Sequence, residues 1–245
     1  MTKLDSSRII FLHLPKAAGT TFNKILLKQY EESASFIVAD EVKKELGDSW
    51  GRFTSMEREE LAKKKLMALP KSQKDKIQLV AGHMEYGWHE CFNDPATYIT
   101  FLRNPVDRVI SQFHYIKRLP DHALKDRILK DDLTLKQFVE QGVSLMTDNG
   151  MTRKIAGVTD AVAFREYDDA ILDKAVRHLR EHFGAVGLAE HFDESIVYMQ
   201  HKFSWKHPYY LRKNVTINRK KVIEYDSATL DCIAQHNSLD IQLYQ

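Results

Sequence analysis

Apolar residues recur along this chain in short continuous runs, each followed by an abrupt change to small and polar residues. The first run covers 8–14, the small and polar stretch covers 15–21, and apolar residues from Phe22 to Tyr30 then follow at helical spacing. A nearly continuous apolar run is typical of a strand buried on both faces of a parallel sheet. The pattern therefore predicts a strand, a tight loop and a helix.

The same order recurs near the centre of the chain. Residues 98–103 form a second apolar run, and 106–113 carry apolar residues at helical spacing. Between them, Asn104 is a favourable N-cap residue and Pro105 suits the first helical turn. A second junction between a strand and a helix is predicted here.

The rest of the chain fits one domain that covers 1–245. Apolar runs at 77–81 and 185–189 add two candidate strands, while the Lys- and Glu-rich stretch 41–76 predicts exposed helices inserted between strands. No internal repeat or Pro/Gly/Ser-rich linker divides the sequence. Alternation of strands and helices predicts an α/β fold, a P-loop-like, doubly wound parallel sheet flanked by helices.

Composition and charge exclude several classes of function. The 36 Lys and Arg residues nearly balance the 34 Asp and Glu residues, for a net charge of +2 with His neutral, which is not the basic excess of a nucleic-acid-coating protein. The apolar run at 9–14 is too short for a signal-peptide core or a membrane span. We expect a cytoplasmic protein without a membrane anchor or a nucleic-acid partner. No CxxC or HExxH pattern is present, so no metal is expected.

The loop at 15–21 has the composition of an anion-binding loop. Small residues between a strand and a helix present backbone N–H groups and the positive end of the helix dipole to a phosphate. The nucleoside triphosphate form of this loop, GxxxxGK[ST], places Lys directly before the helical Ser or Thr. Here Lys16 precedes Ala17, Ala18 and Gly19 instead. This order weakens an ATPase or kinase interpretation.

The loop resembles the 5′-phosphosulfate loop of the superfamily of sulfotransferases that use 3′-phosphoadenosine 5′-phosphosulfate (PAPS). The resemblance is carried by the order Leu14-Pro15-Lys16-x-x-Gly19-Thr20-Thr21-Phe22. It is greatest for the branch that contains heparan sulfate 2-O-sulfotransferase and related carbohydrate sulfotransferases. It implies that the donor is bound by Lys16, Ala17, Ala18, Gly19, Thr20 and Thr21. Lys16 would also be catalytic, because its ammonium would stabilise negative charge on the departing phosphate.

Residues 100–111 resemble the 3′-phosphate segment of the same superfamily. The resemblance implies that Arg103 and Ser111 bind the phosphate that distinguishes PAPS from ATP. An arginine can make bidentate contacts with phosphate oxygens. Near the C-terminus, a short basic run corresponds to a family loop that closes over the same phosphate, and Arg219 and Lys220 are its expected contacts.

Gly82-His83 resembles a Gly-His segment of this branch in which the histidine is the catalytic base. An imidazole with an ordinary pKa of about 6.5 can accept a hydroxyl proton at neutral pH. Other sulfotransferase branches use a glutamate for this step. Glu85, His89 and Glu90 therefore stay alternatives to His83.

Four residues are candidates for acceptor binding. Glu85 and Tyr86 follow the candidate base, and Asn149 and Arg153 lie in a segment that resembles one near the donor and acceptor in this family. The resemblance implies a hydroxyl-bearing acceptor, a saccharide or another alcohol, and in-line transfer that leaves 3′-phosphoadenosine 5′-phosphate (PAP).

Two other functions stay open on the sequence. One is a nucleotide-dependent phosphotransferase that uses the first loop for ATP. The other is a non-catalytic module that binds an anionic saccharide through the Lys-rich stretch 41–76 and Arg153. The sequence makes no prediction of oligomeric state.

Overall fold

Strands and helices alternate along the chain, as the sequence predicts. The computed structural model describes residues 8–47, 49, 53–119, 122–159, 161–206 and 224–245. In this part of the chain the strands are β1 (Arg8–Leu12), β2 (Ser35–Ile37), β3 (Leu79–Gly82), β4 (Ala96–Leu102) and β5 (Phe183–Leu188). The α-helices there are α1 (Gly19–Leu26), α2 (Val38–Leu46), α3 (Ser55–Ala68), α4 (Lys71–Lys74), α5 (Pro105–Arg118), α6 (Lys125–Lys130), α7 (Leu135–Glu140), α8 (Gly150–Ala156), α9 (Asp169–His182), α10 (Phe192–Phe203), α11 (Ser227–His236) and α12 (Ser238–Tyr244).

The strands form one parallel sheet in the order β2-β3-β1-β4-β5. From β1 the chain passes to the edge strand β2, returns through β3, and then crosses to β4 and β5 on the other side. The predicted α/β fold, a doubly wound parallel sheet flanked by helices, is confirmed. The connections diverge on the two sides of β1, and open sheets of this kind bind ligands in a crevice at such a point, here the carboxyl ends of β1 and β4.

The sequence located four of these strands and missed β2. This strand has three residues, and only Phe36 is buried among them, so it lacks the continuous apolar run that marks the others. The stretch 41–76 is mostly helical, as predicted. Within it, α3 begins with a capping box in which Thr54 and Glu57 bond to each other's backbone N–H groups.

Apolar packing fixes α1 on the sheet and α5 against its neighbouring helices. All five residues of β1 are buried, and the ring of Phe22 from α1 lies 4.8 Å from that of Phe101 in β4. A second apolar cluster joins α5 to α7, where the rings of Phe113 and Phe138 are 5.4 Å apart. Full burial of such a side chain contributes about 1.5–3 kcal/mol. The helix α5 is therefore held by apolar contacts in addition to its junction with β4.

A buried polar network binds the C-terminal helices to α5 and α8. Arg108 of α5 lies 3.2 Å from the carboxylate of Asp240 in α12, and both side chains are almost completely buried. The same carboxylate accepts hydrogen bonds from the backbone N–H groups of Met151 (3.1 Å) and Thr152 (2.7 Å). Asp240 therefore caps the first turn of α8 from another helix, with the charge sign that a helix N-terminus favours.

Asp240→Ala is expected to destabilise the fold by about 3–5 kcal/mol, because it leaves the buried Arg108 cation without its carboxylate partner. Asp231→Ala, on the exposed side of α11, is the control and should change stability by less than about 0.5 kcal/mol. Urea unfolding of both variants measures the difference. Equal unfolding midpoints would contradict a central role for this network.

Candidate active site

The loop after β1 has the shape of an anion cradle. It turns at 15–18, and the backbones of Lys16 (φ 67°) and Ala18 (φ 60°) lie in the left-handed region, which is unusual for residues with a Cβ. The N–H groups of Gly19 and Thr20 belong to the first turn of α1, where no carbonyl of the same helix can accept from them. Of the loop residues, Ala17 and Gly19 are buried, Lys16, Ala18 and Thr21 are half-buried, and Thr20 is exposed.

His13 fills the space beneath this loop. A Cβ added to Gly19 would lie only 2.0 Å from Cδ2 of His13, so no other residue fits at this position without displacing the ring. The His13 ring stacks on Phe11, with centroids 5.3 Å apart, and on His83, with centroids 4.0 Å apart. His13 thus joins the loop to the candidate base. The sequence analysis missed it, although a histidine inside an apolar run was a visible signal.

Geometry assigns the proton of a neutral His83 ring to one nitrogen. Nδ1 of His83 is 2.8 Å from the carbonyl oxygen of His13. A carbonyl oxygen can only accept, so Nδ1 carries the proton and donates it. The other nitrogen, Nε2, is then unprotonated, and the side chain is exposed. This is the state that a general base needs before it takes a proton.

The surroundings of His83 favour its neutral form. The stack on His13 removes water from one side of the ring. This desolvation is the largest cause of a pKa below the ordinary value of 6.5, and the hydrogen bond to His13 partly opposes it. The nearby cations Lys154, Lys16 and Arg58 lower the pKa of His83 further. Burial, followed by the charges of His83 and Lys16, also holds the pKa of His13 well below 6.5.

Arg103, directly after β4, and Tyr115 of α5 contact the loop. Nη1 of Arg103 donates to the carbonyl oxygen of Lys16 at 2.9 Å, and Nη2 lies 3.9 Å from the carboxylate of Asp107. The ammonium of Lys16 lies 3.9 Å from the centre of the Tyr115 ring. Ser111 precedes Tyr115 by four residues in α5, so the two lie on the same side of that helix. The structure thus brings together Lys16, Arg103 and the part of α5 that carries Ser111.

Glu85 and Tyr86 form part of the wall beside the candidate base. The Glu85 carboxylate accepts a hydrogen bond from the backbone of Thr159 at 2.9 Å. The Tyr86 ring stacks on His178 with centroids 3.6 Å apart, and burial raises the pKa of Tyr86 to about 12. Both residues are half-buried. These contacts are with the protein itself, so acceptor binding by Glu85 and Tyr86 stays a prediction.

Glu59 of α3 joins three parts of this wall. Its carboxylate accepts from the backbone N–H of Glu85 (2.8 Å) and from the indole of Trp88 (3.0 Å). Its second oxygen is 3.4 Å from the ammonium of Lys154 in α8. This residue was not predicted, because Glu59 lies in a Lys- and Glu-rich helix where nothing local separates a half-buried carboxylate from a solvated one.

Asn149 and Arg153 were predicted to contact the acceptor. Neither residue has an exposed surface, so this prediction is corrected. Arg153 forms a buried ion pair with Asp148. The amide oxygen of Asn149 accepts from the backbone N–H groups of Leu239 (2.9 Å) and Asp240 (3.2 Å). Asn149 thus holds the start of α12, whereas Arg153 also donates to the carbonyl oxygens of Val162 and Ala163.

The alternative bases differ in their surroundings. Nδ1 of His89 is 3.0 Å from the hydroxyl of Tyr98. Glu90 is exposed and lies 3.9 Å from the ammonium of Lys63. His83 alone among these candidates stacks on a ring that touches the loop at 15–21. The geometry therefore favours His83.

The predicted contacts Arg219 and Lys220 lie outside the described residues. Within the described ranges, no group of three or more His, Cys, Asp or Glu side chains is placed to hold a metal ion. No helix found in those same ranges is both long and apolar enough to cross a membrane.

Comparison with known proteins identifies the family. The family model for galactose-3-O-sulfotransferase matches residues 3–245. The chain belongs to the galactose-3-O-sulfotransferase family. The predicted relationship to carbohydrate sulfotransferases is confirmed.

One curated relative of this family is galactose-3-O-sulfotransferase 3 of Bos taurus. It is 25% identical over 178 residues, which cover 68% of this chain and 41% of the bovine protein. The chain thus spans less than half the length of that relative. A solved structure of mouse sulfotransferase SULT7A1 complexed with PAP aligns with 97% of this chain and 84% of its own, at 13% identity and a TM-score of 0.36.

The His83 imidazole is expected to titrate below pH 6.5 and to carry its neutral-state proton on Nδ1, because its surroundings disfavour the charged form and the His13 carbonyl accepts from Nδ1. Long-range nitrogen–proton NMR correlations across a pH series measure both properties. A midpoint above 6.5, or a proton on Nε2, would contradict this description of the base.

Proposed function

We propose that this chain transfers a sulfuryl group from PAPS to the 3-hydroxyl of a galactose residue in a saccharide. The observation that carries the proposal is the meeting of Lys16, Arg103 and the His13–His83 stack around one crevice in a member of the galactose-3-O-sulfotransferase family. The family description and the bovine relative support galactose as the acceptor and its 3-hydroxyl as the position.

The residues at the crevice fit the two phosphates of this donor. The first-turn N–H groups of Gly19 and Thr20 suit the 5′-phosphate, because they have no partner within the helix and lie at its positive end. Arg103 and Ser111 provide a guanidinium and a hydroxyl for the 3′-phosphate. PAPS would supply the activated sulfuryl group. ATP has no 3′-phosphate for Arg103 and Ser111 to bind. These two residues therefore favour PAPS as the donor.

In the proposed transfer, Nε2 of His83 accepts the proton of the acceptor hydroxyl. A bond forms between the acceptor oxygen and sulfur while the bond between sulfur and the 5′-phosphate oxygen breaks. The electron pair of the broken bond stays on that phosphate, where the Lys16 ammonium stabilises the added negative charge. The neutral, Nδ1-protonated state of His83 suits this role, because Nε2 must begin unprotonated.

The other two functions are less well supported by the structure. A phosphotransferase of the usual loop type needs a lysine directly before the first helical Ser or Thr, where Gly19 packs on His13 and leaves no room for a side chain. The non-catalytic saccharide module relied on the Lys-rich stretch 41–76 and on Arg153, and of these Arg153 is completely buried. Neither observation affects the PAPS-dependent reaction.

His83→Ala should keep donor binding and lose about 10²–10⁴-fold in turnover, the usual contribution of a general base. The assay follows radiolabelled sulfate from PAPS to a saccharide with terminal galactose, beside a parallel reaction with γ-labelled ATP. His201→Ala is the control, because His201 is an exposed histidine on α10, away from the crevice. PAP binding by calorimetry confirms that the donor site of each variant is intact.

Two results would overturn this assignment. Full turnover in His83→Ala would remove His83 as the base. Transfer from ATP and none from PAPS would replace the proposed donor and favour the phosphotransferase.

A further inference from the structure

We infer that Arg103 and Tyr115 are positioning residues for Lys16, so that the segment assigned to the 3′-phosphate also shapes the site for the 5′-phosphate. This inference rests on the proposed donor site. Two contacts carry it. Arg103, between β4 and α5, donates a hydrogen bond to the backbone carbonyl oxygen of Lys16. Tyr115 of α5 contacts the ammonium at the other end of the same residue.

The first contact restrains the backbone of the loop. Lys16 has φ 67°, a conformation that is unfavourable for a residue with a Cβ and persists only when its surroundings hold it. The Arg103 guanidinium donates a charge-assisted hydrogen bond, 2.9 Å long, to the carbonyl of this residue. A guanidinium has five N–H donors in a rigid fork, so one arginine can hold both the loop carbonyl and a phosphate.

The second contact restrains the side chain. The ammonium of Lys16 is 3.9 Å from the centre of the Tyr115 ring, within the range of a cation–π interaction. A lysine has a flexible four-carbon stem, and this ring holds the charge against α5, on the side that carries Ser111. An ammonium placed before the donor arrives needs less reorganisation during the reaction.

This arrangement makes a prediction that simple 3′-phosphate binding does not make. Adenosine 5′-phosphate (AMP) lacks the 3′-phosphate, so its binding depends on the loop and on Lys16. If Arg103 only binds the 3′-phosphate, removal of its side chain leaves AMP affinity unchanged. If Arg103 also positions Lys16, AMP affinity falls together with PAP affinity.

The experiment is calorimetric titration of PAP and AMP, with AMP measured by displacement of PAP at millimolar concentration. Arg103→Ala is expected to weaken AMP about tenfold and PAP by more, because PAP also loses its 3′-phosphate contact. Ser111→Ala, in the same segment, should weaken PAP and leave AMP unchanged. These two variants separate 3′-phosphate binding from the support of Lys16.

A second pair of variants tests Tyr115. Tyr115→Leu should weaken AMP and PAP by the same factor, about 3–10-fold, while Tyr115→Phe keeps the ring and should bind both like the wild type. The Phe variant also controls for packing, and thermal unfolding of every variant identifies any loss of folding. If Arg103→Ala does not fold, the Tyr115 pair still decides the question.

The inference is overturned if AMP binds Arg103→Ala as it binds the wild type, or if Tyr115→Leu and Tyr115→Phe bind AMP equally. It is also overturned if the wild type binds PAP but AMP does not displace it. A wild type that fails to bind PAP is a different outcome, because it removes the proposed donor site itself.

Discussion

The parallel pairing of β1 with β3 on one side and β4 on the other is the constraint on which the candidate site depends. It places the carboxyl ends of three strands side by side, so residues far apart in sequence, Lys16, His83 and Arg103, emerge at one crevice. A buried hydrogen bond of 2.7 Å from Thr100 to the carbonyl oxygen of Leu12 fastens the ends of β4 and β1 together. A register shift of one residue would turn each side chain of the shifted strand to the other face of the sheet.

Close packing then makes the loop and the candidate base parts of one unit. Gly19 lies against the His13 ring, and that ring stacks on His83. The backbone carbonyl of His13 also accepts a hydrogen bond from the His83 imidazole and so orients it. The left-handed backbone of Lys16 is stabilised from the opposite side by Arg103. A change of the His13 ring is therefore expected to disturb anion binding and proton transfer together, since this ring contacts both the loop and His83.

The parts of the site that were predictable from sequence are those encoded locally. An apolar run followed by small polar residues located the loop around Lys16, and Asn104-Pro105 located the start of α5. The roles of His13 and Glu59 depend on contacts with residues more than twenty positions away, and a local pattern carries no such information. For Arg153 the reason is different, because its partner Asp148 is only five residues away but the burial of the pair cannot be recognised in a polar stretch.

A crystal structure of the chain with PAP is the most direct test of the central claim, that the crevice between β1 and β4 is a donor site for a 3′-phosphorylated nucleotide. The account predicts the 5′-phosphate against the N–H groups of Gly19 and Thr20, and the 3′-phosphate against Arg103 and Ser111. PAP bound at another place, or in the crevice with its two phosphates exchanged, would contradict it.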